Sequence, residues 1–277
     1  YTNQDFLRAI AVTARGDSPA GYANGRLSFA IDLAPGATWH TCLLYELEDD
    51  GERLHAPPDC IAIASASTAE EELQAWNDGA LKLSSPNVET ERTWRQAVAD
   101  MAALRMPVGD EVIPAAGLPW FMAVFGRDSL IVSLQTLPVA TIFAHGALTV
   151  LGDRQSDVLD HTRDAEPGKI LHELRRGELA HFKLIPHTPY YGTADATLLY
   201  LIVLHAAWRS TGDAGLLKRH MATAERCLAW IDKYGDRDGD GFQEYQTRSS
   251  AGYENQGWKD SGEALVYPDG SLVKGPK

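Results

Sequence analysis

The sequence predicts a mainly α chain with the end of an antiparallel β domain at its N-terminus. Alternating apolar and polar residues mark Leu27–Leu33, and a second strand-like run covers Trp39–Leu47. From about residue 68 onward, apolar residues recur at three- and four-residue spacing, which is typical of helices. Uniformly apolar helices alternate there with amphipathic ones, so we expect two concentric layers of helices, the inner one buried.

Residues 1–66 are predicted to be β-structure. The turn Ala34–Ala37 joins the two strand-like runs. Three or four strands are fewer than a complete sandwich has, so we expect this segment to be the C-terminal part of a larger domain.

Residues 67–277 are predicted to form the helical domain. Acidic residues follow Thr68, as in the first turn of a capped helix, and Glu91–Leu104 carries an apolar face. The apolar stretch Ser129–Leu151 contains Pro138 and should form two helices or one kinked helix.

Two further helical blocks differ in pattern. Thr193–Thr211 is apolar on all sides and should be buried on all sides. Asp213–Tyr234 is amphipathic and should bury one face, made of Leu216, Leu217, Met221, Ala224, Cys227, Leu228 and Ile231.

Composition narrows the classes of partner and compartment. The chain has 277 residues and a net charge of -13, which argues against nucleic acid and anionic membranes and suits an uncharged substrate. No apolar run is long enough to span a bilayer, and no secretion signal is recognisable. Cys42, Cys60 and Cys227 lack metal or redox spacing, so we expect reduced thiols and a cytoplasmic protein. A start at Tyr1 suggests a piece of a longer polypeptide.

Polar and aromatic loops precede the predicted buried helices. Trp120 is followed by the adjacent pair Arg127 and Asp128, and a guanidinium beside a carboxylate matches paired sugar hydroxyls. The alternative is that Asp128 caps the helix and Arg127 pairs locally.

Two more loops carry charges and aromatics. In the segment 164–175 most charges are expected to be solvated, although His172 and Glu173 could line a cleft. In the segment 186–197, Tyr191 and Asp195 precede a helix, and Asp195 taken alone would be a helix cap.

The segment Asn255–Ser261 contains the leading catalytic candidate, Asp260. Trp258 lies two residues before it, and an aromatic face can stack on a pyranose while the acid reaches a glycosidic oxygen. The alternative is a solvated loop aspartate or a helix cap.

A calcium-binding loop is predicted at residues 236–244. Its ligands would be the side chains of Asp236, Asp238, Asp240 and Glu244 and the carbonyl of Phe242. Position twelve is Thr247 instead of glutamate, so we expect a structural calcium ion and no sensor. The alternative is a metal-free Asp-Gly turn.

Four motifs in this order resemble the bacterial glycogen debranching enzyme, amylo-α-1,6-glucosidase-like family. They are Phe125–Ser129, Glu166–Glu173, Tyr191–Thr197 and Asn255–Ser261. The resemblance implies an (α/α)6 toroid like that of glucoamylases, with residues 67–277 as its N-terminal half and residues 1–66 as the end of a β-sandwich. Calcium loops also occur in related toroid glycosidases.

The resemblance implies an inverting glycoside hydrolase. Arg127 and Asp128 would hold the terminal sugar and Asp260 would be the general acid, while the base, a glutamate, would come from a second half absent from this chain. The predicted substrate-binding residues are Trp120, Arg127, Asp128, Glu173, Tyr191, Asp195, Trp258 and Lys259.

The expected partners are an α-glucan or α-glucoside and the missing C-terminal half or a complementary chain. Two other interpretations stay open: a non-catalytic carbohydrate-binding half-toroid, and a calcium-stabilised helical interaction module.

Overall fold

The computed structural model describes residues 1–49, 51–55 and 68–277, and it is mixed α/β. Helices make up 35% of the chain and strands 20%. The prediction of a mainly α chain, the first half of an (α/α)6 toroid after the end of a β-sandwich, is therefore wrong. Small antiparallel sheets form within the helical part as well as before it. In the helical part, one sheet pairs two segments joined by a turn, and the other pairs two segments that are distant in the sequence.

The chain divides into two units, Tyr1–Trp76 and Asn77–Lys277. The boundary predicted between residues 66 and 67 lies outside the described residues.

The first unit contains a four-stranded antiparallel sheet and a separate hairpin. The sheet has the order β1-β2-β5-β6, and β3 pairs with β4. The strands are β1 (Thr2–Asn3), β2 (Phe6–Gly16), β3 (Ala20–Ala23), β4 (Arg26–Phe29), β5 (Thr41–Asp49) and β6 (Glu52–Leu54).

Local turn chemistry explains the hairpin. Asn24 and Gly25, which connect β3 to β4, both have positive φ, as the two-residue turns that suit strand twist require. Of the predicted strand Leu27–Leu33 only residues 27–29 are extended, as part of β4. The predicted strand Trp39–Leu47 corresponds to β5, shifted by two residues.

The cysteine prediction is partly wrong. Cys42 on β5 is disulfide-bonded, whereas Cys227 is a free buried thiol. Cys60 lies outside the described residues. The sequence argument for a reducing compartment therefore fails at Cys42.

The second unit contains helices and two two-stranded antiparallel sheets. Helix α1 (Thr68–Gly79) crosses the division between the units, and a π-helical turn, Ile231–Gly235, follows the last helix. The other helices are α2 (Val88–Ala103), α3 (Gly126–Thr136), α4 (Ile142–Gly152), α5 (Glu178–His181), α6 (Ala196–Thr211) and α7 (Ala214–Trp230). One sheet is a hairpin of β7 (Arg105–Val108) and β8 (Glu111–Pro114). The other pairs β9 (Val124–Phe125) with β10 (Glu173–Leu174), which helices separate in the sequence.

Helix ends follow local signals. Asn87 caps α2 by accepting hydrogen bonds from two backbone N–H groups, and Asp213 caps α7 through Gly215 N at 2.8 Å. The predicted break near Pro138 is confirmed, since α3 ends at Thr136 and α4 begins at Ile142.

The core of the second unit lies between α3, α4, α6, α7 and β8. Its fully buried side chains include Ile113, Leu130, Phe143, Leu148, Leu151, Tyr200 and Leu216. The prediction that α6 is buried on all sides is wrong, because Ile202 is 50% exposed. Composition shows that a helix is apolar, but only tertiary packing decides how many of its sides are covered.

The predicted buried face of α7 is also wrong in part. Leu216, Ala224 and Cys227 are buried, but Met221 and Leu228 are exposed. The polar residue His220 is buried instead, because its Nδ1 lies 3.0 Å from the hydroxyl of Tyr200 on α6. His220 thus shares the buried face with Leu216 and Ala224, and its buried partner satisfies the polar ring.

No helix in the described ranges combines the length and the apolar character that crossing a bilayer requires.

The buried hydroxyl of Tyr200 gives a stability prediction. It donates a hydrogen bond to Leu148 O at 3.0 Å and also contacts His220, so it joins α6 to α4 and α7. Tyr200→Phe leaves both partners buried without it, and we expect a loss of about 1–3 kcal/mol in the free energy of unfolding. Urea denaturation measures this. Tyr267→Phe, at an exposed position, is the matched control, and an equal loss in both variants would refute the interaction.

Candidate functional site

Arg127, at the start of α3, joins two loop segments that are distant in the sequence. Its Nε donates a hydrogen bond to Asp195 Oδ2 at 2.6 Å, and its Nη1 donates to Asp260 Oδ2 at 3.2 Å. Its Nη2 donates to Gly257 O at 2.6 Å. Arg127 is only 6% exposed, so its charge is almost fully desolvated and the two carboxylates compensate it. We call Arg127, Asp195 and Asp260 the Arg127 cluster.

The start of α3 fixes the position of Arg127. Strand β9 leads into the helix, and the N–H of Gly126 donates to His172 O at 2.9 Å. A Cβ at Gly126 would collide with the carbonyl oxygen of Leu171 and would lie 3.1 Å from the Cβ of Ala196. Glycine at this position therefore lets α3 and the start of α6 approach the same backbone segment.

Asp195 occupies the N-cap position of α6, but its side chain accepts no capping hydrogen bond from the helix. Its Oδ1 accepts a hydrogen bond from Thr193 Oγ1 at 2.7 Å, and its other oxygen accepts from Arg127, so the alternative of a side-chain cap is wrong. The N–H of Ala194 donates to Gln256 O at 2.7 Å. The segment before α6 is thus tied directly to the segment that carries Asp260.

Asp164 is the most heavily hydrogen-bonded carboxylate near the cluster. It is buried, and its backbone has a φ of 50°, a left-handed conformation that aspartate tolerates better than most residues. Its donors are Tyr190 Oη at 2.9 Å, Thr247 Oγ1 at 2.7 Å, Arg248 N at 2.6 Å, Ser249 N at 3.1 Å and Gln256 Nε2 at 3.2 Å. One carboxylate therefore anchors the segment that leads to Asp260.

The expectation that most charges of the segment 164–175 are solvated is wrong. Asp164, Glu166, Lys169, His172 and Glu173 are all buried. Each acidic member has a partner that compensates for its desolvation.

Glu166 and Lys169 form the second buried group of this segment. Glu166 accepts a hydrogen bond from Trp230 Nε1 at 2.9 Å and lies 3.7 Å from Lys169 Nζ. Arg237 lies 3.5 Å from the other oxygen of Glu166, which ties this segment to the predicted calcium loop. Burial lowers the pKa of Lys169, and the neighbouring carboxylates oppose that shift.

Two carboxylates near Asp260 have raised pKa values. Burial raises the pKa of Asp128, against the opposing effect of the Arg127 guanidinium. Burial also raises the pKa of Glu173, although Glu173 accepts a hydrogen bond from Arg175. In both residues the negative charge of Asp260 adds to the rise, which shows that these carboxylates share one electrostatic environment.

Histidines line the buried side of this environment. Burial, reinforced by the charge of Arg127, lowers the pKa of His172 to about 4. His187 Nε2 lies 2.8 Å from the hydroxyl of Tyr253 and 3.4 Å from Glu173 Oε2, and burial also lowers its pKa. Neutral imidazoles therefore face the buried acids near neutral pH.

Among the predicted sugar-binding residues, Trp258, Trp120 and Lys259 are exposed, whereas Tyr191 is buried. Trp258 is 71% exposed, and its ring centroid lies 6.0 Å from the guanidinium carbon of Arg127. Trp120 is 78% exposed, and its carbonyl accepts a hydrogen bond from Arg175 Nη1 at 2.7 Å. Lys259 is exposed. Tyr191 is buried and donates its hydroxyl proton to Arg154 O at 2.8 Å, which leaves little surface for a sugar.

The Arg127 cluster offers hydrogen-bond donors and acceptors beside the exposed ring of Trp258. The Asp260 side chain is 45% exposed, and Arg127 contacts only one of its two oxygens. Asp195 is partly exposed as well. Carboxylate oxygens accept hydrogen bonds from hydroxyl groups, and a fixed guanidinium keeps their positions.

The predicted calcium loop is folded around its own acids. Asp236 accepts hydrogen bonds from Gly239 N at 2.7 Å and from Gly241 N at 3.0 Å. The side-chain oxygens of Asp236, Asp238 and Glu244 lie within 4.8 Å of one another, close enough for one ion. Asp240 instead accepts from Phe242 N at 2.9 Å. Thr247, at position twelve, donates to Asp164 and links the loop to that buried carboxylate.

Sequence reasoning missed Asp164, Gln256 and Tyr253. Tyr253 N donates to the hydroxyl of Tyr190, and Gln256 bonds to Asp164. No local pattern marks a buried carboxylate whose donors come from other loops. The only signal was the Asp-Ala-Glu-Pro-Gly sequence itself, where an acid precedes a turn.

No family model matches the sequence, and no curated protein matches it. The assignment of a function therefore rests on the residues and their geometry.

Replacement of Asp164 should destabilise the second unit. Asp164→Asn keeps the size and tolerates the left-handed backbone, but it presents an NH2 donor to groups that are themselves donors. We expect a loss of about 2–4 kcal/mol in the free energy of unfolding and faster hydrogen exchange at residues 247–256. Asp157→Asn, at an exposed position, is the control. Unchanged exchange in that segment would refute the anchoring role.

Proposed function

We propose that the chain binds the terminal sugar of an α-linked glucan or α-glucoside and acts in its hydrolysis, in the manner of an amylo-α-1,6-glucosidase. The observation that carries the proposal is the Arg127 cluster, in which a buried guanidinium holds Asp195 and Asp260 beside the exposed ring of Trp258. The order of the four motifs in the sequence supports the same assignment.

Sugar binding follows from the chemistry of the exposed groups. Trp258 provides an apolar face for a pyranose ring, and Asp195 and Asp128 accept hydrogen bonds from its hydroxyls. Trp120, whose backbone is held by Arg175, adds a second exposed aromatic surface, and Lys259 is an exposed donor. An uncharged substrate also suits a chain with a net charge of -13.

Asp260 is the proposed general acid. Arg127 binds its Oδ2, so Oδ1 is left to carry a proton to the glycosidic oxygen as the bond from that oxygen to the anomeric carbon breaks. Inversion requires water to attack the opposite face of the sugar, activated by a second carboxylate roughly 6.5–9.5 Å from the acid. No carboxylate among the described neighbours of Asp260 is assigned to that step.

A structural calcium ion is part of the proposal. Asp236, Asp238 and Glu244 would supply carboxylate oxygens, with Asp240 and the carbonyl of Phe242 as the remaining predicted ligands. The loop is joined to the buried acids through Arg237 and Glu166. Bound calcium would therefore stiffen the segment that leads to Asp260.

A second candidate function is carbohydrate binding without catalysis. It is favoured by the ion pair between Arg127 and Asp260, since a carboxylate paired with a guanidinium is well suited to hold a sugar hydroxyl.

Hydrolysis distinguishes the two candidates. We expect the protein, together with the complementary chain that would supply the base, to release glucose from a branched α-glucan limit dextrin. Asp260→Asn should lower the rate by about 10²–10⁴-fold, because removal of a general acid costs that much. Glu263→Gln, an exposed acid three residues further on, is the matched control and should leave the rate unchanged.

Binding identifies which part of the proposal fails. Titration with the limit dextrin should quench the fluorescence of Trp258, and Trp258→Ala should abolish that change. Binding without glucose release would favour the non-catalytic function. If neither occurs while calcium still raises the melting temperature, the protein is a calcium-stabilised interaction module and the glycosidase proposal fails.

Calcium should raise the melting temperature of the chain. Ligand that binds only the folded state stabilises it in proportion to the logarithm of its concentration over Kd, so calcium at 100 times Kd should add about 2.7 kcal/mol. Asp238→Asn removes one charged ligand and should weaken calcium binding, measured by calorimetry. Asp232→Asn, an exposed acid nearby, should not. Equal calcium affinity in both variants would contradict the site.

A further inference from the structure

A cavity lined by basic and hydroxyl side chains lies outside the Arg127 cluster. It has a volume of about 670 Å³ and lies between the segments 160–163, 180–188 and 248–251. That volume is within the range of small-molecule sites, which run from about 300 to 1,000 Å³. The proposed glycosidase function makes no use of it.

The charge of the cavity is opposite to that of the chain. Arg163, Lys183 and Arg248 line it together with His161, and Asp160 is its one carboxylate. The chain as a whole has 25 basic residues against 38 acidic ones, so this concentration of cations is a local exception. Fixed cations around a cleft attract anions.

Asp160, the one carboxylate of the cavity lining, already accepts hydrogen bonds from neighbouring residues. Asp160 Oδ1 accepts hydrogen bonds from Thr162 N at 2.9 Å and Thr162 Oγ1 at 2.6 Å, and its Oδ2 accepts from Arg163 Nε at 2.7 Å. These bonds lower the pKa of Asp160 to about 2, so its charge is committed to Thr162 and Arg163. It does not neutralise the other two cations.

Lys183 and Arg248 form no ion pair with any carboxylate in the described part of the chain. The Nη1 of Arg248 lies 3.3 Å from His161 Nε2, and its backbone N–H donates to Asp164 at 2.6 Å. The backbone of Arg248 is thus fixed by a buried acid while its guanidinium has an imidazole as its neighbour. Terminal guanidinium nitrogens held in this way provide donors for an oxyanion.

The rest of the lining fits a polar body attached to an anion. Thr188 and Ser250 contribute hydroxyl groups, and Ala180, Ile185 and Pro186 contribute apolar surface. Inorganic phosphate alone would fill a small part of 670 Å³. A larger ligand could place its anionic end against the cations and its body against these residues.

We propose that this cavity binds a phosphate monoester of a small polar molecule, of the size and chemistry of a hexose phosphate. Lys183 and Arg248 bind the phosphate oxygens, and Thr188 and Ser250 bind hydroxyl groups of the body. The site is separate from the Arg127 cluster, so it does not depend on the proposed hydrolase activity.

Calorimetric titration with glucose 6-phosphate, glucose and inorganic phosphate tests the proposal. We expect saturable binding of glucose 6-phosphate, at least ~10-fold weaker binding of inorganic phosphate, and none of glucose at the same concentrations. Each charge-assisted hydrogen bond contributes enough to change affinity by about 10-fold or more, so Lys183→Gln with Arg248→Gln should weaken binding at least ~100-fold.

The matched control removes the same charge elsewhere. Arg209→Gln with Lys218→Gln changes two exposed helix cations and should leave the affinity within about 2-fold, as expected for distant surface changes. Asp260→Asn should also bind glucose 6-phosphate normally. Equal melting temperatures for both double variants show that each is folded.

Three results would overturn the proposal. These are no saturable binding of glucose 6-phosphate to the unmodified protein, equal affinity for glucose 6-phosphate and inorganic phosphate, and equal weakening in the two double variants. The second result would identify a simple phosphate site, and the third a general effect of net charge.

Discussion

The buried carboxylate of Asp164 is the interaction on which the candidate site depends. Hydrogen bonds from Tyr190, Thr247, Gln256 and the backbone of residues 248 and 249 converge on its two oxygens. Since the charge is removed from water, the loss of any of these donors is costly, so the donors hold one another in place. The segment that carries Asp260 therefore has a fixed position although it contains neither helix nor strand.

Arg127, nearer the surface, is a second buried charge whose partners come from different loops. Its buried guanidinium is satisfied by Asp195 and, from a second loop far from it in the sequence, by Asp260 and the carbonyl of Gly257. One face of the cluster is desolvated, while Asp260 and Trp258 are open to solvent. This combination of a rigid charged base and an accessible acid suits recognition of a polar, uncharged ligand.

Charge is distributed unevenly over the second unit. Acids gather at the Arg127 cluster and at the predicted calcium loop, whereas cations gather around the cavity between residues 160–163 and 248–251. The cavity and the cluster have walls in the same loop, because Arg248 and Ser249 donate to Asp164 and Gln256 does so from the other end. The acidic cluster and the basic cavity are thus held by the same loop, and each can recognise a ligand of different charge.

The sequence by itself determined the local features: the start of α1, the helical character of Glu91–Leu104 in α2, the break near Pro138, strand β5 and the acid spacing of residues 236–244. Each depends on residues within a few positions of one another, so helix-capping signals, turn residues and hydrophobic periodicity are enough to predict it. Only the tertiary structure decided the mixed α/β class, the exposure of Ile202, the burial of His220 and the partners of Asp164. Those depend on contacts between distant segments, and the alternation of apolar and polar residues does not record which loop supplies the hydrogen bonds of a buried charge.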